Sequence, residues 1–387
     1  MKILYIASST SWGGGSVALC NLIKGLYKKH EIHVLFPYGD GRFCKELDKI
    51  GVKYSFAHYG LHVYPRCCSS LKWIYRLGGT IYTNYCAKRT VKKIVEKFYP
   101  DIVHNNVGPL DLSLDICRKK NIPHVWHQRE YQDRDFGMTF IPNKSYYQKR
   151  ILKKGNYNIA ITQGVFSHWN LRKGLDRVIY DGVFDIKSLP TYIPNQQKDK
   201  YFLFVGRIEE AKGALDAIKA FEMFASCSKD CKLLIAGRYS LDSSYYRRCQ
   251  KLVEDSNLNG RVVFLGERSD IYSLMVNAQA LLVPSRFEGF GFITAEAMAC
   301  GCLVIGRDTG GTKEQFDRGK SLTGHEIAFR FRTIKEMAGQ MKNIFNHNYE
   351  TTRLKAYEVA SCYYDMQKHI MEVDEFYQSV IKNNRDI

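Results

Sequence analysis

The sequence predicts an α/β protein made of two tandem Rossmann-like domains. Three observations lead there. Short β-branched or aromatic runs alternate with segments of helical spacing along almost the whole chain. The alternation is interrupted by the proline- and amide-rich stretch PTYIPNQQKDK, Pro190 to Lys200, and then restarts. The 387 residues, 45% of them hydrophobic, are enough for two well-buried cores.

The elements follow in order. KILYIAS reads as a first strand and not as a signal peptide, because its apolar run is short and no cleavage-like segment follows. VALCNLIKGLYKKH carries apolar residues at helical spacing. EIHVLFP is a strand, and DIVHNNV, PLDLSLDICRKK and PHVWHQ repeat the strand–helix–strand order. YNIAIT, GVFSHWNLRKG and RVIY close this half. After the interruption come YFLFVG, a helix from about Gly213, CKLLIAG, a helix from about Asp242, RVVFLG, a short helix, ALLVPS and LVIG. Long helical segments fill the chain from about Thr333. Such alternation implies parallel sheets covered by helices. The expected divisions are an N-terminal Rossmann-like domain over 1–185, a linker over 186–200 and a ligand-binding domain over 201–360. A terminal helix, 361–387, is expected to pack back toward the first domain. Ligands of such sheets bind beyond the carboxyl ends of the strands, so a cleft between two facing domains is the expected site.

The formal charge of +18 points to an anionic partner: nucleic acid, a membrane surface or a phosphorylated substrate. The 12 cysteines include no C-x-x-C pair, so zinc spacing is absent, and buried free thiols in a reducing compartment are expected. Gly289 to Gly306 is apolar, but Glu296 and Gly301 within it argue against a membrane span.

EGFGFITAEAMACG, Glu288 to Gly301, places two carboxylates eight residues apart in an apolar stretch. ALLVPS before it is a strand, and Pro284 to Phe292 is a glycine-punctuated loop. A short helix over Ile293–Cys300 follows, with Gly301 at its C′ position. Glu288 then lies in a loop at a strand's carboxyl end, where Gly289 and Gly291 let the backbone approach a ligand. The helix start offers N–H groups to an anion, and Glu296 is expected in its first turn. Carboxylates beside a phosphate site fit a ligand rich in hydroxyls and phosphate, such as a nucleotide sugar. VGRIEEAKG follows the first strand of the same domain and sets Arg207 and Lys212 at a helix start, a pattern suited to a diphosphate. SWGGGSVALCNL puts Gly13, Gly14 and Gly15 between the first strand and the first helix. Its match to G-x-G-x-x-A is loose, and EIHVLFP ends without the acid that would hold an NAD ribose.

Together these stretches resemble the large group-1 family of retaining nucleotide-sugar glycosyltransferases, family 4, which have the GT-B fold. The resemblance rests on E-x7-E at Glu288 and Glu296, G-R…K-G at Gly206-Arg207…Lys212-Gly213, the Gly13-Gly14 loop, and TGGTKE, Thr309 to Glu314. It implies that Glu288 contacts donor-sugar hydroxyls and that Glu296 binds the nucleotide ribose. Arg207 and Lys212 would neutralise the diphosphate leaving group, and the backbone N–H groups of Phe290, Gly291 and Phe292 would cradle it. Gly13 and Gly14 join the donor-binding set. His127, in HVWHQREY, would lie close to the donor sugar, so the expected catalytic set is Glu288, His127, Arg207 and Lys212; His104 and His124 are weaker candidates. Ser16 stands where many members carry an acid, which leaves the acceptor-side contacts open. Retention would proceed on one face of the sugar, with the leaving diphosphate helping to deprotonate the acceptor hydroxyl. No metal and no cofactor beyond a UDP- or GDP-linked sugar is expected. Asp133 and Asp135 match D-x-D but read as a solvated surface pair.

Between Arg66 and Lys97, eight cations face one acid, with Trp73, Tyr75, Tyr82 and Tyr85 among them. That composition suits a solvated helix face, an anionic membrane surface or single-stranded nucleic acid. Given the resemblance, the membrane is favoured over nucleic acid. The expectation is therefore a cytoplasmic transferase of polysaccharide or glycolipid assembly, peripheral on the inner face of the membrane, with a lipid-linked saccharide acceptor. An epimerase of the same fold and a basic nucleic-acid-binding protein are the alternatives.

Overall fold

The computed structural model describes residues 1–65 and 70–385. Arg66, Cys67 and Cys68 lie outside them, as does the Lys72 side chain. The chain forms two compact units. Met1–Gly182 and the helix Met366–Arg385 make the first, and Val183–Asp365 make the second.

In the first unit the strands are β1 (Lys2–Ile6), β2 (Glu31–Phe36), β3 (Lys53–Phe56), β4 (Val63–Pro65), β5 (Ile102–Asn105), β6 (His124–Gln128), β7 (Met138–Phe140), β8 (Asn156–Ala160) and β9 (Arg177–Val178). Seven of them form a parallel sheet in the order β3-β2-β1-β5-β6-β8-β9, and β4 pairs antiparallel with β7. The central strand β1 serves both faces. Ile3 and Tyr5 enter one core, and Leu4 and Ile6 enter the other. That two-sided burial explains why a central parallel strand reads as a continuous apolar run. Sequence periodicity missed β3. KYSF lies at the sheet edge, half-exposed, and presents no alternating apolar face.

The core on the Tyr5 face is completed from the far end of the chain. Met366, Ile370, Val373, Phe376, Tyr377 and Val380 of the terminal helix pack there with Leu19, Leu22 and Ile23 of the helix Gly14–Leu26. Asp374 of the terminal helix also binds His30, Nε2 to Oδ1, at 2.6 Å. The opposite core takes Ala87, Val91 and Val95 from the long helix Ser70–Phe98.

In the second unit the strands are β10 (Tyr201–Val205), β11 (Lys232–Ala236), β12 (Val262–Gly266), β13 (Ala280–Val283), β14 (Leu303–Arg307) and β15 (Phe329–Phe331), ordered β12-β11-β10-β13-β14-β15 and all parallel. Phe202, Phe204, Leu233, Ile235 and Leu282 carry its core. The proline- and amide-rich stretch lies against this unit. Lys198 Nζ donates to the Val276 carbonyl at 2.6 Å, and Tyr192 stacks on Tyr357 at 4.8 Å.

None of the ten described cysteines forms a disulfide, and seven are buried. Cys86, Cys227 and Cys362 are exposed, so the expectation of buried thiols does not extend to these three. Among the described residues no helix is long and apolar enough to cross a membrane.

Phe376→Ala is expected to lower the stability of the first unit by about 3–5 kcal/mol, because it empties a filled core position. Met371→Ala, on the exposed side of the same helix, is expected to stay within about 0.5 kcal/mol. Chemical-denaturation midpoints of the two variants check this.

Candidate functional site

Strand order reverses between β10 and β13 in the second sheet, because the chain runs outward to β11 and β12 before returning. Loops leaving two strands at such a point open a crevice at their carboxyl ends. Here the loops are Gly206–Gly213 after β10 and 284–291 after β13. Three helices start from these loops and from the one after β14: Ala214–Phe224, Phe292–Ala299 and Gly310–Thr323. The third of these was not foreseen as a helix from TGGTKE.

The three starts are held together by close backbone contact. Gly213 has φ of +78°, and a Cβ there would lie 2.7 Å from the Pro284 carbonyl oxygen. A Cβ on Gly311 would lie 2.3 Å from the Phe290 carbonyl oxygen. Both distances are shorter than real side chains allow, so only glycine fits without movement. With that space left free, the Gly311 N–H donates to the Glu288 carbonyl at 2.7 Å. Gln315 Nε2 donates to the carbonyls of Phe290 and Gly291 at 2.8 and 3.0 Å. The Glu288–Gly291 loop is therefore fixed at the start of two helices. The first N–H groups of a helix lack intrahelical acceptors and carry partial positive charge, so this region favours an anion.

The site's cations are placed differently from each other. Lys212 Nζ lies 2.8 Å from Glu288 Oε1, and both side chains are largely shielded from water. Arg207 is 65% exposed and pairs with Glu209 at 2.9 Å. The structure thus joins Lys212 to Glu288 and leaves Arg207 at the rim on its own acid.

Glu296 corrects the sequence reading. The helix begins at Phe292, so Glu296 is its fifth residue and its first turn holds no acid. The carboxyl is too deep in the helix to complement the N-terminal dipole. Among the described residues its one near donor is the Tyr272 hydroxyl, 3.4 Å from Oε1. Burial pushes its pKa up from 4.5 to about 7. A carboxyl with so little internal hydrogen bonding has capacity left for hydroxyl donors.

In the first unit the order reverses between β1 and β5. Gly13 caps the helix Gly14–Leu26, both glycines are exposed, and a Cβ on Gly13 would meet nothing within 4 Å. The chain's own packing does not require a glycine at position 13. Asn106 Nδ2 reaches the Gly15 carbonyl at 3.1 Å, and Arg129 Nε donates to Asn106 Oδ1 at 2.9 Å. Arg129 also pairs with buried Asp181.

His127 lies inside β6 and is fully buried. Its Nδ1 is 3.3 Å from Arg129 Nη2. A guanidinium can only donate, so Nδ1 is the acceptor. Burial, and then the Arg129 charge, hold the ring neutral by lowering its pKa well below the usual histidine range. The proton therefore sits on Nε2, which has no hydrogen-bond partner among the described residues. The ring stacks on His369 of the terminal helix at 6.3 Å and meets His104 edge-on at 5.3 Å. His104 Nδ1 is 2.6 Å from the Tyr377 hydroxyl. His124 is a satisfied core histidine, held by Ser113 at 2.8 Å and Asn156 at 3.2 Å.

Asp133 and Asp135 are not a solvated pair. Asp133 lies 3.1 Å from His168 Nε2 and 3.5 Å from Lys144 Nζ, and Asp135 accepts the Tyr131 N–H at 2.9 Å. Among the described residues no group of three His, Cys, Asp or Glu is placed to hold a metal ion.

Sequence reasoning missed Gln315, Tyr272, Arg129, Asp181 and His369. Arg129 was legible as a cation two residues past His127. The others reach the strand ends of their own unit from distant segments and leave no local signal.

The chain matches a model of "Glycosyl transferases group 1" over residues 187–358 and one of "Glycosyltransferase Family 4" over residues 12–184. It is 25% identical to N-acetyl-alpha-D-glucosaminyl L-malate synthase of Bacillus anthracis over 206 residues, 52% of this chain and 51% of that protein. It is 32% identical over 120 residues, 31% of each chain, to a Campylobacter jejuni N-acetylgalactosaminyltransferase that acts on a diphospho-undecaprenol-linked saccharide. The chain thus spans about half, or less, of the length of these curated relatives. Anabaena HepE in complex with UDP superposes with a TM-score of 0.78 at 20% identity, covering 98% of this chain and 100% of that one. The glycosyltransferase WaaG of lipopolysaccharide biosynthesis superposes with a TM-score of 0.65 at 13% identity, covering 97% and 99%. With one model matching each unit and the fold shared from end to end, the chain belongs to the group 1 glycosyltransferases, family 4, of GT-B fold.

Proposed function

We propose that the chain moves a hexosyl group from a UDP- or GDP-linked donor to a hydroxyl acceptor, with retention and without a metal or further cofactor. The observation that carries this reading is the convergence of three helix N-termini and Lys212 on the loop that holds Glu288. That arrangement offers positive potential for a diphosphate beside carboxylate acceptors for hydroxyls. HepE, a structural neighbour, was crystallised with UDP and with UDP-glucose, which supports a nucleotide-sugar donor. The Campylobacter relative and other relatives in lipopolysaccharide synthesis support a lipid-linked or polysaccharide acceptor. Described cysteines without disulfides support a reducing, cytoplasmic setting.

In this reading the acceptor oxygen bonds to the anomeric carbon on the face the diphosphate leaves. The bond from that carbon to the β-phosphate oxygen breaks, and the leaving oxygen takes the acceptor proton. Glycoside and nucleoside diphosphate result. Lys212, Arg207 and the helix N-termini stabilise the charge that builds on the diphosphate. Glu288 orients the sugar hydroxyls, and Glu296 accepts from the ribose. The Nε2–H of His127 is the first unit's candidate donor to a sugar hydroxyl, and because the ring is fully buried that contact requires the ligand to uncover it.

Melting temperature in the presence of UDP, GDP, ADP and NAD tests the donor. A nucleotide at about 100 times its Kd should stabilise the fold by about 2.7 kcal/mol. One diphosphate is expected to raise the melting temperature, and Arg207→Ala and Lys212→Ala are each expected to weaken that rise. No shift with any diphosphate overturns the reading. Conversion of a nucleotide sugar in the absence of acceptor identifies an epimerase instead.

Glu296 gives a pH test. Its folded pKa lies above the ordinary carboxyl value, so the folded state holds this proton more tightly than the unfolded chain does. Stability is therefore lost as pH rises from 4.5 to about 7. Glu296→Gln is expected to remove that loss and to raise stability at pH 8 by up to about 3 kcal/mol. Ribose hydroxyls favour the charged carboxylate, so nucleotide affinity of the wild type should rise through pH 7 more steeply than that of Glu296→Gln, in which only the ligand's own phosphate titrates. Denaturation and nucleotide titrations at pH 5 and pH 8 check both statements.

A further inference from the structure

The helix Ser70–Phe98 has an outer face that the transfer chemistry does not use. Its inner face is fixed by Asn84, Ala87, Val91 and Val95, all buried and spaced by three or four residues. Asn84 binds both the N–H and the carbonyl of Gly60, at 2.9 and 3.0 Å, which sets the rotation of the helix about its axis. The rotation leaves Ile74, Tyr75, Ile81, Tyr82 and Tyr85 facing water. Tyr75 is 85% exposed and Tyr82 69%. Gly78, between them, and Gly79 have no atom within 4 Å of where a Cβ would stand, so no internal packing accounts for either glycine.

The same outer stripe then changes character. From Tyr85 it continues at helical spacing through Arg89, Lys92, Lys93 and Lys97. Arg89 lies over the Tyr85 ring at 4.9 Å, which joins the two halves. Lys92 has Glu96 3.8 Å away, whereas Lys93 and Lys97 make no ion pair among the described residues. The helix holds seven cations and one acid, Glu96.

A surface helix normally turns charge outward along its whole length. Here the N-terminal half turns mainly aromatic and aliphatic groups outward, with exposed Arg76 beside them, and the later turns present the ammonium groups of Lys93 and Lys97. Apolar rings settle at the boundary between headgroups and acyl chains, and nearby cations meet lipid phosphates. Single-stranded nucleic acid would need cations beside the rings along its track. Bases would stack on the rings, but they offer nothing to the exposed aliphatic side chains of Ile74 and Ile81, which a layer of acyl chains accommodates.

We propose that the outer face of Ser70–Phe98 is a docking surface for an anionic phospholipid membrane, with Ile74, Tyr75, Ile81 and Tyr82 inserted at the interface and Lys93 and Lys97 on lipid phosphates. The proposal does not depend on the assignment of donor or acceptor.

Vesicle flotation of the full chain tests it, with phosphatidylcholine–phosphatidylglycerol vesicles against phosphatidylcholine alone. Binding is expected to the anionic vesicles and to weaken as salt rises. Tyr75→Ser with Tyr82→Ser is expected to lower the apparent binding constant at least about tenfold at an unchanged melting temperature, since both rings are exposed. Lys93→Glu with Lys97→Glu should have a comparable effect and flatten the salt dependence. No binding to anionic vesicles at low salt overturns the proposal, as does full binding by the tyrosine double variant. A single-stranded RNA oligonucleotide that binds as tightly as the anionic vesicles also overturns it.

Discussion

The hydrogen bond from the Gly311 N–H to the Glu288 carbonyl is small, but the geometry of the second unit depends on it. It forms only because the missing side chain at Gly311 lets one helix start lie against the backbone of another loop. A loop at the end of a parallel strand has no ladder partner to hold it, and an unpaired carbonyl buried there would be costly. Gly311 and Gln315 supply the acceptors' partners on Glu288, Phe290 and Gly291. The loop's backbone is thereby set in place before any ligand arrives, and catalysis by positioning needs that condition.

The pairing of Lys212 with Glu288 bears on what this loop can hold. Both groups are largely removed from water, so each serves as the other's counter-charge. A ligand carrying only phosphate would attract Lys212 and leave Glu288 without a donor. A ligand carrying only hydroxyls would satisfy Glu288 but leave the helix N-termini without an anion. A nucleotide sugar supplies both at once, and on the proposed reading this is how the site selects its donor. Glu296 points the same way, since its distant contact with Tyr272 leaves a half-buried carboxyl with room for further donors.

Much of this was legible in the sequence, for reasons that can be named. Central parallel strands such as YFLFV and ALLV are buried on both faces and read as unbroken apolar runs. Gly213, Glu288 and Gly291 lie close to strand ends, so counting from a strand places them. The short edge strands KYSF and FRF gave no such signal, because edges carry little apolar pattern. The start of the helix at Phe292 was misjudged by one residue, and that shift moved Glu296 out of the first turn. Contacts made across sequence distance were invisible. Nothing in SWGGGS points to Asn106, and nothing around His127 points to residue 369.

That last contact changes how the terminal helix is understood. Phe376 and Val380 could be read as core filling alone. The same helix also brings His369 against the His127 ring and Tyr377 against His104. His127 owes its neutral state to burial, and part of that burial comes from residues more than two hundred positions later in the chain. Its tautomer is fixed by Arg129, which Asp181 in turn holds in place. The core that stabilises the first unit and the polar groups at its strand ends are therefore supported by one helix. A change in how that helix seats would reach the His127 proton without touching any residue of the glycine loop.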